Sequence, residues 1–286
     1  MVHETQFGNS DALKYLRTPL PSDDKYSRGV VGFVSGSEQY PGAAVLGVTA
    51  ALSVGVGMVR FLSSAKPTSL VLGARPEVVI REGHVDAWVL GSGIDTSERS
   101  DQTTESILAA FATGAPCVVD AGALDLIDSL EDSAPAGTWV VITPHAHELA
   151  RMFTRAGTEV SVNDIMANPA AWAQKAAQKW KVSVLLKGAE TVVVDRDDQD
   201  SVILPAQGSA WLATAGTGDV LAGALGAVLA GAYVAHASAR EFTGCVAAAA
   251  TLHANASRSL PAPFTALALA DALGAARRAL SAPPKR

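Results

Sequence analysis

The chain is poor in aromatic residues and cysteine, and it contains no long block of charge of either sign. Aromatic residues make up 6% of its 286 residues, whereas apolar residues make up 49%. Alanine, valine, leucine and glycine must therefore supply most of the core, which suits small-residue helices packed closely on a buried sheet. The length is enough for one large α/β domain or two small ones.

The scarcity of basic clusters and of paired cysteines excludes several kinds of partner. With a net charge of −6, the sequence has no basic footprint for nucleic acid or an anionic membrane. Cys117 and Cys245 lie far apart without a CxxC partner, which excludes a cysteine zinc site and indicates a reducing compartment, hence the cytoplasm. The N-terminus has no apolar signal segment. The uncharged segment Val220–Ala235 approaches the length of a membrane span, but without an aromatic belt or basic flanks it is predicted to be a core helix.

Segments typical of strands alternate with segments typical of helices, which predicts an α/β fold with a mainly parallel sheet covered on both faces. Thr191–Val194 and Ser201–Leu204 flank a charged turn and predict a hairpin. We expect disorder in the first twenty or so residues and in the tail Ser281–Arg286. The other predicted strands are Val30–Ser35, Met58–Ser63, Ser69–Leu72, Ala87–Leu90, Cys117–Asp120, Trp139–Thr143 and Val182–Leu186. The main predicted helices are Ala43–Gly55, Thr104–Phe111, Leu124–Leu130, Glu148–Phe153, Ala170–Trp180, 219–231, 238–256 and 265–280.

Polar residues follow several of these strands. Ligands of parallel sheets lie beyond the carboxyl ends of the strands, so we expect these residues to converge at one edge. They are Gly91-Ser92-Gly93, Asp120, His145, Lys187 and Gly216-Thr217-Gly218-Asp219.

The segment Gly216–Asp219 is the most informative of them. Its glycines allow a tight turn, and the helix predicted behind it offers unpaired N–H groups that suit a phosphate. A carboxylate in that turn indicates a base or a partner for a metal or hydroxyl, although Asp219 as a simple helix N-cap is the alternative.

The next most distinctive motif is His145-Ala146-His147, for which a metal site is the rival interpretation. Metal-dependent hydrolases use an HxH after a strand, but they need further ligands. The remaining histidines, at positions 3, 84, 236 and 253, form no ligand-like cluster in the sequence, so the metal interpretation is disfavoured. The chain also lacks a P-loop, a GxGxxG after the first strand and a GxSxG elbow.

Four segments together resemble the ADP-dependent NAD(P)H-hydrate dehydratases of the ribokinase-like superfamily. They occur in the family's order over roughly residues 28–280: Gly29–Gly57, Thr143–Glu148, Leu186–Thr191 and Leu212–Gly223. The resemblance implies a three-layer fold with a mainly parallel sheet. It also implies one domain at 28–281, preceded by an extension at 1–27 and followed by a tail at 282–286.

The resemblance implies an enzyme that dehydrates the S epimer of NADHX or NADPHX to NADH or NADPH. ADP (or ATP) would be the co-substrate, with Mg²⁺, and AMP and phosphate the products. A small-molecule kinase of the same superfamily, acting on a vitamin precursor or sugar, is the alternative. A non-catalytic nucleotide-sensing module is a third possibility.

By matching motifs, the resemblance implies that Asp219 is the catalytic base and contacts the substrate. The remaining implied contacts fall into three groups: an anion hole of Gly216, Thr217 and Gly218; a nucleotide site of Lys187, Gly188, Ala189, Glu190, Thr191 and Gly218; and hydrate contacts from Ala43, Gly93 and His145.

Some positions stay open. Asp120 either meets substrate or caps the following turn, and Glu148 either helps hold a hydrated Mg²⁺ or caps a helix. Ser92 stands where the family has proline, and His147 and Glu190 stand where it usually has glycine.

The resemblance also concerns partners. In many relatives an epimerase domain for the same hydrates precedes this one, but only about 28 residues precede the first matching segment here. We therefore expect a separate epimerase as a functional partner. The family tends to form tetramers, and we expect a homo-oligomer.

Overall fold

A computed structural model describes residues 3–281, and its centre is one nine-stranded sheet. The strand order is β1-β9-β8-β7-β6-β5-β4-β2-β3, and all neighbours are parallel except β7–β8 and β8–β9. The mainly parallel sheet and the predicted hairpin of β8 and β9 are thus confirmed. The strands are β1 (His3–Phe7), β2 (Val30–Val34), β3 (Met58–Phe61), β4 (Ala87–Leu90), β5 (Cys117–Val119), β6 (Val140–Ile142), β7 (Ser183–Leu186), β8 (Val192–Val194) and β9 (Ser201–Pro205).

Helices cover both faces of the sheet, and two short 3₁₀ helices lie at Ala121–Ser129 and Ala210–Leu212. The α-helices are α1 (Asn9–Leu13), α2 (Pro41–Val54), α3 (Ala65–Ala74), α4 (Asp101–Ala112), α5 (Leu130–Ser133), α6 (Ala146–Arg155), α7 (Val162–Ala167), α8 (Pro169–Trp180), α9 (Thr217–Val234), α10 (Ala239–Ser259) and α11 (Ala266–Ser281).

The strands divide their side chains between two hydrophobic cores. In β4, Ala87 and Val89 face a core shared with α2, α9, α10 and α11, whereas Trp88 and Leu90 face a second core shared with α4, α6 and α8. Alternation of this kind follows from the two-residue period of a strand. The expected three-layer architecture is therefore confirmed.

Helix α9 packs so closely against α2 that the two backbones are in direct contact at Gly223 and Gly47. A Cβ atom placed on Gly223 would lie only 2.0 Å from the carbonyl oxygen of Gly47. Among residues 3–281, α9 is the one helix long and apolar enough to cross a membrane, and 78% of its apolar window is buried inside the protein. The prediction of a core helix at Val220–Ala235 is confirmed.

Three local expectations differ from the structure. Within the segment expected to be disordered, residues 3–13 contain β1 and α1, and β1 pairs with β9, because an edge strand needs only backbone partners and tolerates exposed polar side chains. Ser69–Leu72 lies within α3 and is not a strand, since so short an apolar run does not distinguish the two. Helix α7 was not expected at all. Ser281 ends α11, and the rest of the predicted disordered tail lies outside the described residues.

Candidate active site

The polar residues that follow the strands meet at the carboxyl edge of the sheet. Lys187, directly after β7, donates a hydrogen bond from Nζ to Asp120 Oδ1 at 2.8 Å. The same Nζ lies 3.8 Å from Glu148 Oε2. A Cβ atom on Gly218 would lie 3.5 Å from it as well. The Lys187 ammonium therefore stands between two carboxylates and the glycine turn at the start of α9.

Asp120 is buried, with 2% of its surface exposed, and it is held by three donors. Besides Lys187, it accepts hydrogen bonds from Ser92 Oγ at 2.9 Å and Thr143 Oγ1 at 2.8 Å. Burial opposes ionisation, but Lys187 and the hydrogen bonds from Thr143 and Ser92 together outweigh it, so the pKa of Asp120 is below its usual range. Asp120 occupies the N-cap position of the 3₁₀ helix, but its side chain makes no capping bond there. Its carboxylate holds Lys187 in place.

Lys187 is kept charged by these neighbours. Burial alone would favour the neutral amine, yet Asp120 and Glu148 raise the pKa of Lys187 above its ordinary value. A charged ammonium beside Gly218 provides a fixed positive charge for a phosphoryl oxygen.

The turn before α9 is shaped by Gly216, whose φ of +91° places it in the left-handed region at the N-cap position. Thr217 Oγ1 donates to the carbonyl oxygens of Leu212 at 2.8 Å and Thr214 at 2.9 Å, which ties the loop down. No side chain among the described residues caps α9. The Thr217 N–H donates to the Thr214 carbonyl at 3.3 Å, whereas the Gly218 N–H has no partner among the described residues and is available to an anion.

Asp219 lies in the first turn of α9, three residues beyond Gly216, which occupies the N-cap position. Burial, with a smaller contribution from the nearby carboxylate of Asp120, raises the pKa of Asp219 to about 7 against the opposing effect of Lys187. A carboxylate with a pKa near neutrality can both accept and release a proton under physiological conditions. The interpretation of Asp219 as a simple N-cap is wrong.

His145 and Glu148 form a reciprocal cap at the start of α6. His145 Nδ1 accepts from the Glu148 N–H at 3.2 Å, and Glu148 Oε2 accepts from the His145 N–H at 2.8 Å. Burial lowers the pKa of His145, and its side chain stays 48% exposed at the site. Glu148 is therefore a helix cap and, at the same time, the second carboxylate beside Lys187.

Gly93 and Ala43 come together on another wall of this edge. A Cβ atom on Gly93, whose φ is +67°, would lie 2.3 Å from Ala43 Cβ. The Gly36 N–H donates to the Ser92 carbonyl at 2.7 Å and joins the loops after β2 and β4. Only glycine fits at position 93 against this wall.

The segment Lys187–Thr191 is the tight turn between β7 and β8. Gly188, Ala189 and Glu190 are exposed, and Thr191 is half-buried. The Lys187 N–H donates to the Pro144 carbonyl at 2.8 Å, which fixes the turn beside His145. The departure from glycine at Glu190 is accommodated by its exposure.

Sequence reasoning missed two parts of the site. The hydrogen bonds of Ser92 and Thr143 to Asp120 depend on loops that lie far apart in the chain. His253, on α10, reaches the backbone of Thr217 with Nε2 at 3.0 Å. A histidine directly after the alanine-rich stretch 246–252 of α10 was the available signal.

The metal interpretation of the HxH motif concerns His145 and His147, whose ring centroids lie 5.8 Å apart. Residues 3–281 contain no group of three or more histidine, cysteine or acidic side chains arranged for a metal ion.

Comparison with known proteins gives consistent relatives. A family model described as NAD(P)H-hydrate dehydratase matches residues 31–277. A bifunctional NAD(P)H-hydrate repair enzyme of Mycobacterium leprae is 38% identical over 255 residues, covering 86% of this chain and 50% of that protein. The chain thus spans about half the length of that relative.

Two further relatives are matched over most of their length. An ADP-dependent (S)-NAD(P)H-hydrate dehydratase of Xanthomonas campestris is 34% identical over 236 residues, covering 74% of this chain and 76% of that protein. A crystal structure of the ADP/ATP-dependent NAD(P)H-hydrate dehydratase of Bacillus subtilis, co-crystallised with ATP/Mg²⁺ and soaked with CoA, superposes with a TM-score of 0.73. It is 26% identical, with coverage of 93% and 97% of the two chains. The ribokinase-like fold and the matching segments agree, and the chain belongs to the NAD(P)H-hydrate dehydratase family.

Proposed function

We propose that this protein dehydrates the S epimer of NADHX or NADPHX to NADH or NADPH, using ADP and releasing AMP and phosphate. The observation that carries the proposal is Asp219, a half-buried carboxyl with a pKa of about 7 beside a helix start without a side-chain cap and near the Lys187 ammonium. This combination is suited to deprotonating a hydroxyl next to a phosphoryl group. Membership in the dehydratase family supports the choice of substrate.

In the proposed reaction, the oxygen of the ring hydroxyl attacks the β-phosphorus of ADP while Asp219 accepts the proton of that hydroxyl. The bond between that phosphorus and the bridging oxygen breaks, and AMP leaves. The N–H groups of Gly216, Thr217 and Gly218, with Lys187, stabilise the charge on the transferring group. The C–O bond of the phosphorylated hydrate then breaks with its electrons on phosphate. Loss of a neighbouring ring proton restores the double bond.

The remaining proposed contacts follow the walls of the site. We assign the nucleotide to the turn Lys187, Gly188, Ala189, Glu190 and Thr191, together with Gly218. Ala43, Gly93 and His145 would contact the hydrate. The contact of Gly93 with Ala43, and the closeness of His145 to Lys187, support placing both ligands at this edge.

Mg²⁺ fits this donor set only as a metal held largely by water and phosphate oxygens. The oxygens of Asp120 are occupied by three donors, whereas Glu148 uses Oε2 for its cap. Glu148 Oε1 is the oxygen that would hold a hydrated ion, which would neutralise phosphate charge when bound. Co-crystallisation of the B. subtilis enzyme with ATP/Mg²⁺ supports a role for Mg²⁺ in this protein.

The deciding experiment is turnover of purified (S)-hydrate with ADP, ATP or no nucleotide. We expect recovery of absorbance in the reduced-nicotinamide band together with equimolar phosphate. The rival kinase function would instead give a stable phosphorylated product without phosphate release. Asp219→Asn is the matched control, since it should bind nucleotide without turnover. Absence of hydrate turnover with every nucleotide would contradict the proposal.

We infer further that the enzyme is a cytoplasmic homotetramer that works with a separate epimerase. Two free, buried cysteines support a reducing location. Gel filtration with light scattering tests the tetramer, and addition of an epimerase to a mixture of both epimers tests the partnership. With the epimerase, both epimers should be consumed. Without it, only the S epimer should be.

A further inference from the structure

A buried histidine lies behind the anion-binding turn without facing the site. His253, in the middle of α10, is 7% exposed, and its Nε2 lies 3.0 Å from the carbonyl oxygen of Thr217. A carbonyl can only accept, so Nε2 carries the proton. Burial lowers the pKa of His253 to about 4, outweighing the opposite effect of the bond to Thr217. The ring is therefore neutral, and the bond persists at physiological pH.

The bonded carbonyl belongs to the peptide unit that carries the N–H of Gly218. Because a peptide unit is planar, a bond that fixes the carbonyl of Thr217 also fixes the direction of the Gly218 N–H. The same bond polarises the peptide and makes its N–H a stronger donor. His253 thus acts on a proposed phosphate-binding group from the opposite side of the backbone.

Helix α10 holds the preceding loop at a second point. Ser257, one helical turn beyond His253, accepts from the Ser209 N–H at 2.9 Å with its Oγ. Residues four apart lie on the same face of a helix, so both tethers leave α10 on one side. The loop is therefore fixed near its beginning by Ser257 and at its end by His253.

We propose that His253 is a positioning residue that aims the Gly218 N–H at the β-phosphate of the nucleotide. It touches neither the nucleotide nor the hydrate, and the identity of the nucleotide rests on the proposed function. Loss of His253 should therefore weaken interactions with the β-phosphate and leave those with AMP intact.

The test compares His253→Phe, which removes the donor, with His253→Gln, whose amide nitrogen can reach the Nε2 position. Thr251→Val is the control, since Thr251 is on the same helix and its buried hydroxyl has no partner among the described residues. For His253→Phe we expect kcat to fall about 10- to 100-fold. ADP affinity by calorimetry should fall several-fold, with AMP affinity unchanged. His253→Gln should recover most of both losses, and Thr251→Val should match the wild type.

A folded His253→Phe protein with unchanged kcat and ADP affinity would overturn the proposal, as would equal losses for ADP and AMP. If His253→Phe does not fold, His253→Gln is compared with His253→Asn, whose amide is one methylene too short. Equal ADP affinities in that pair would also overturn it. The ADP and AMP measurements need no hydrate, so failure of hydrate turnover in the wild type would remove the proposed function without deciding the role of His253.

Discussion

Helix α9 contains two regions that differ in hydrogen bonding and packing. Its start, Gly216–Asp219, has no side-chain cap and carries a carboxyl whose pKa burial raises to about 7. The turns that follow are buried, and Gly223 lies against the backbone of α2. The difference teaches that the reactive groups stand at the start of a helix whose later turns are packed tightly in the core. Changes in the first region should alter chemistry, and changes in the second should alter stability.

The largest expected effect is the loss of the proposed base. In Asp219→Asn, we expect kcat for hydrate turnover to fall by about 10³-fold or more, because the amide cannot accept the hydroxyl proton. Steady-state kinetics with ADP measures it, and circular dichroism should show an unchanged fold. Turnover within about tenfold of the wild type would show that the first turn is structural, which would erase the contrast between the two regions.

A smaller effect should appear when the wild type is titrated. Because the pKa of Asp219 is raised to about 7, its basic form is lost as the pH falls through that value. We expect kcat/KM to drop about tenfold for each pH unit below 7, or about 100-fold by pH 5. The pH profile of kcat/KM, which reports the pKa values of the free enzyme, measures it. A flat profile between pH 5 and 7 contradicts the assignment.

Substitutions in the second region, the buried turns of α9, should change the free energy of unfolding. A methyl group on Gly223 would meet the Gly47 carbonyl at 2.0 Å, so Gly223→Ala must push two backbones apart. We expect it to lower the free energy of unfolding by about 2–3 kcal/mol. Gly231→Ala, in the same helix, is the control, because nothing lies within 4 Å of its added Cβ. It should raise stability by about 0.5–1 kcal/mol. Equal behaviour of the two variants in denaturant titrations would refute the close packing.

The smallest effect concerns the stability that the protein loses when Asp219, in the first region, is ionised. The folded pKa of Asp219 lies above the ordinary 3.8, so ionisation destabilises the fold, fully above pH 7 and not at all below the unfolded value. Asp219→Asn should therefore be about 1–3 kcal/mol more stable than the wild type at pH 8, with the difference vanishing near pH 4. Urea titrations at both pH values measure it. A less stable variant at pH 8 would mean that the carboxylate is favourably paired.

Much of this arrangement could be predicted from the sequence, because strand-end residues of a parallel sheet converge by topology. Asp120, Lys187 and the turn at Gly216 follow strands or begin a helix, and they do meet. The individual assignments of nucleotide and hydrate contacts remain predictions, since they depend on bound molecules.

Other features could not be predicted because they depend on contacts between distant parts of the chain. Nothing in the local sequence of His253 indicates that α10 would bring it to the Thr217 carbonyl. The strand at His3–Phe7 also escaped prediction, since four of its five side chains are exposed and only its pairing with β9 defines it.

That first strand has a practical consequence. By lying along β9, it occupies the backbone donors and acceptors of a strand that would otherwise form the border of the sheet. Trimming the chain before α1, or attaching a bulky tag that prevents this pairing, would leave β9 open to strands from other molecules. Recombinant versions that begin at β2 should therefore be prone to precipitate, even with every residue of the reaction centre intact.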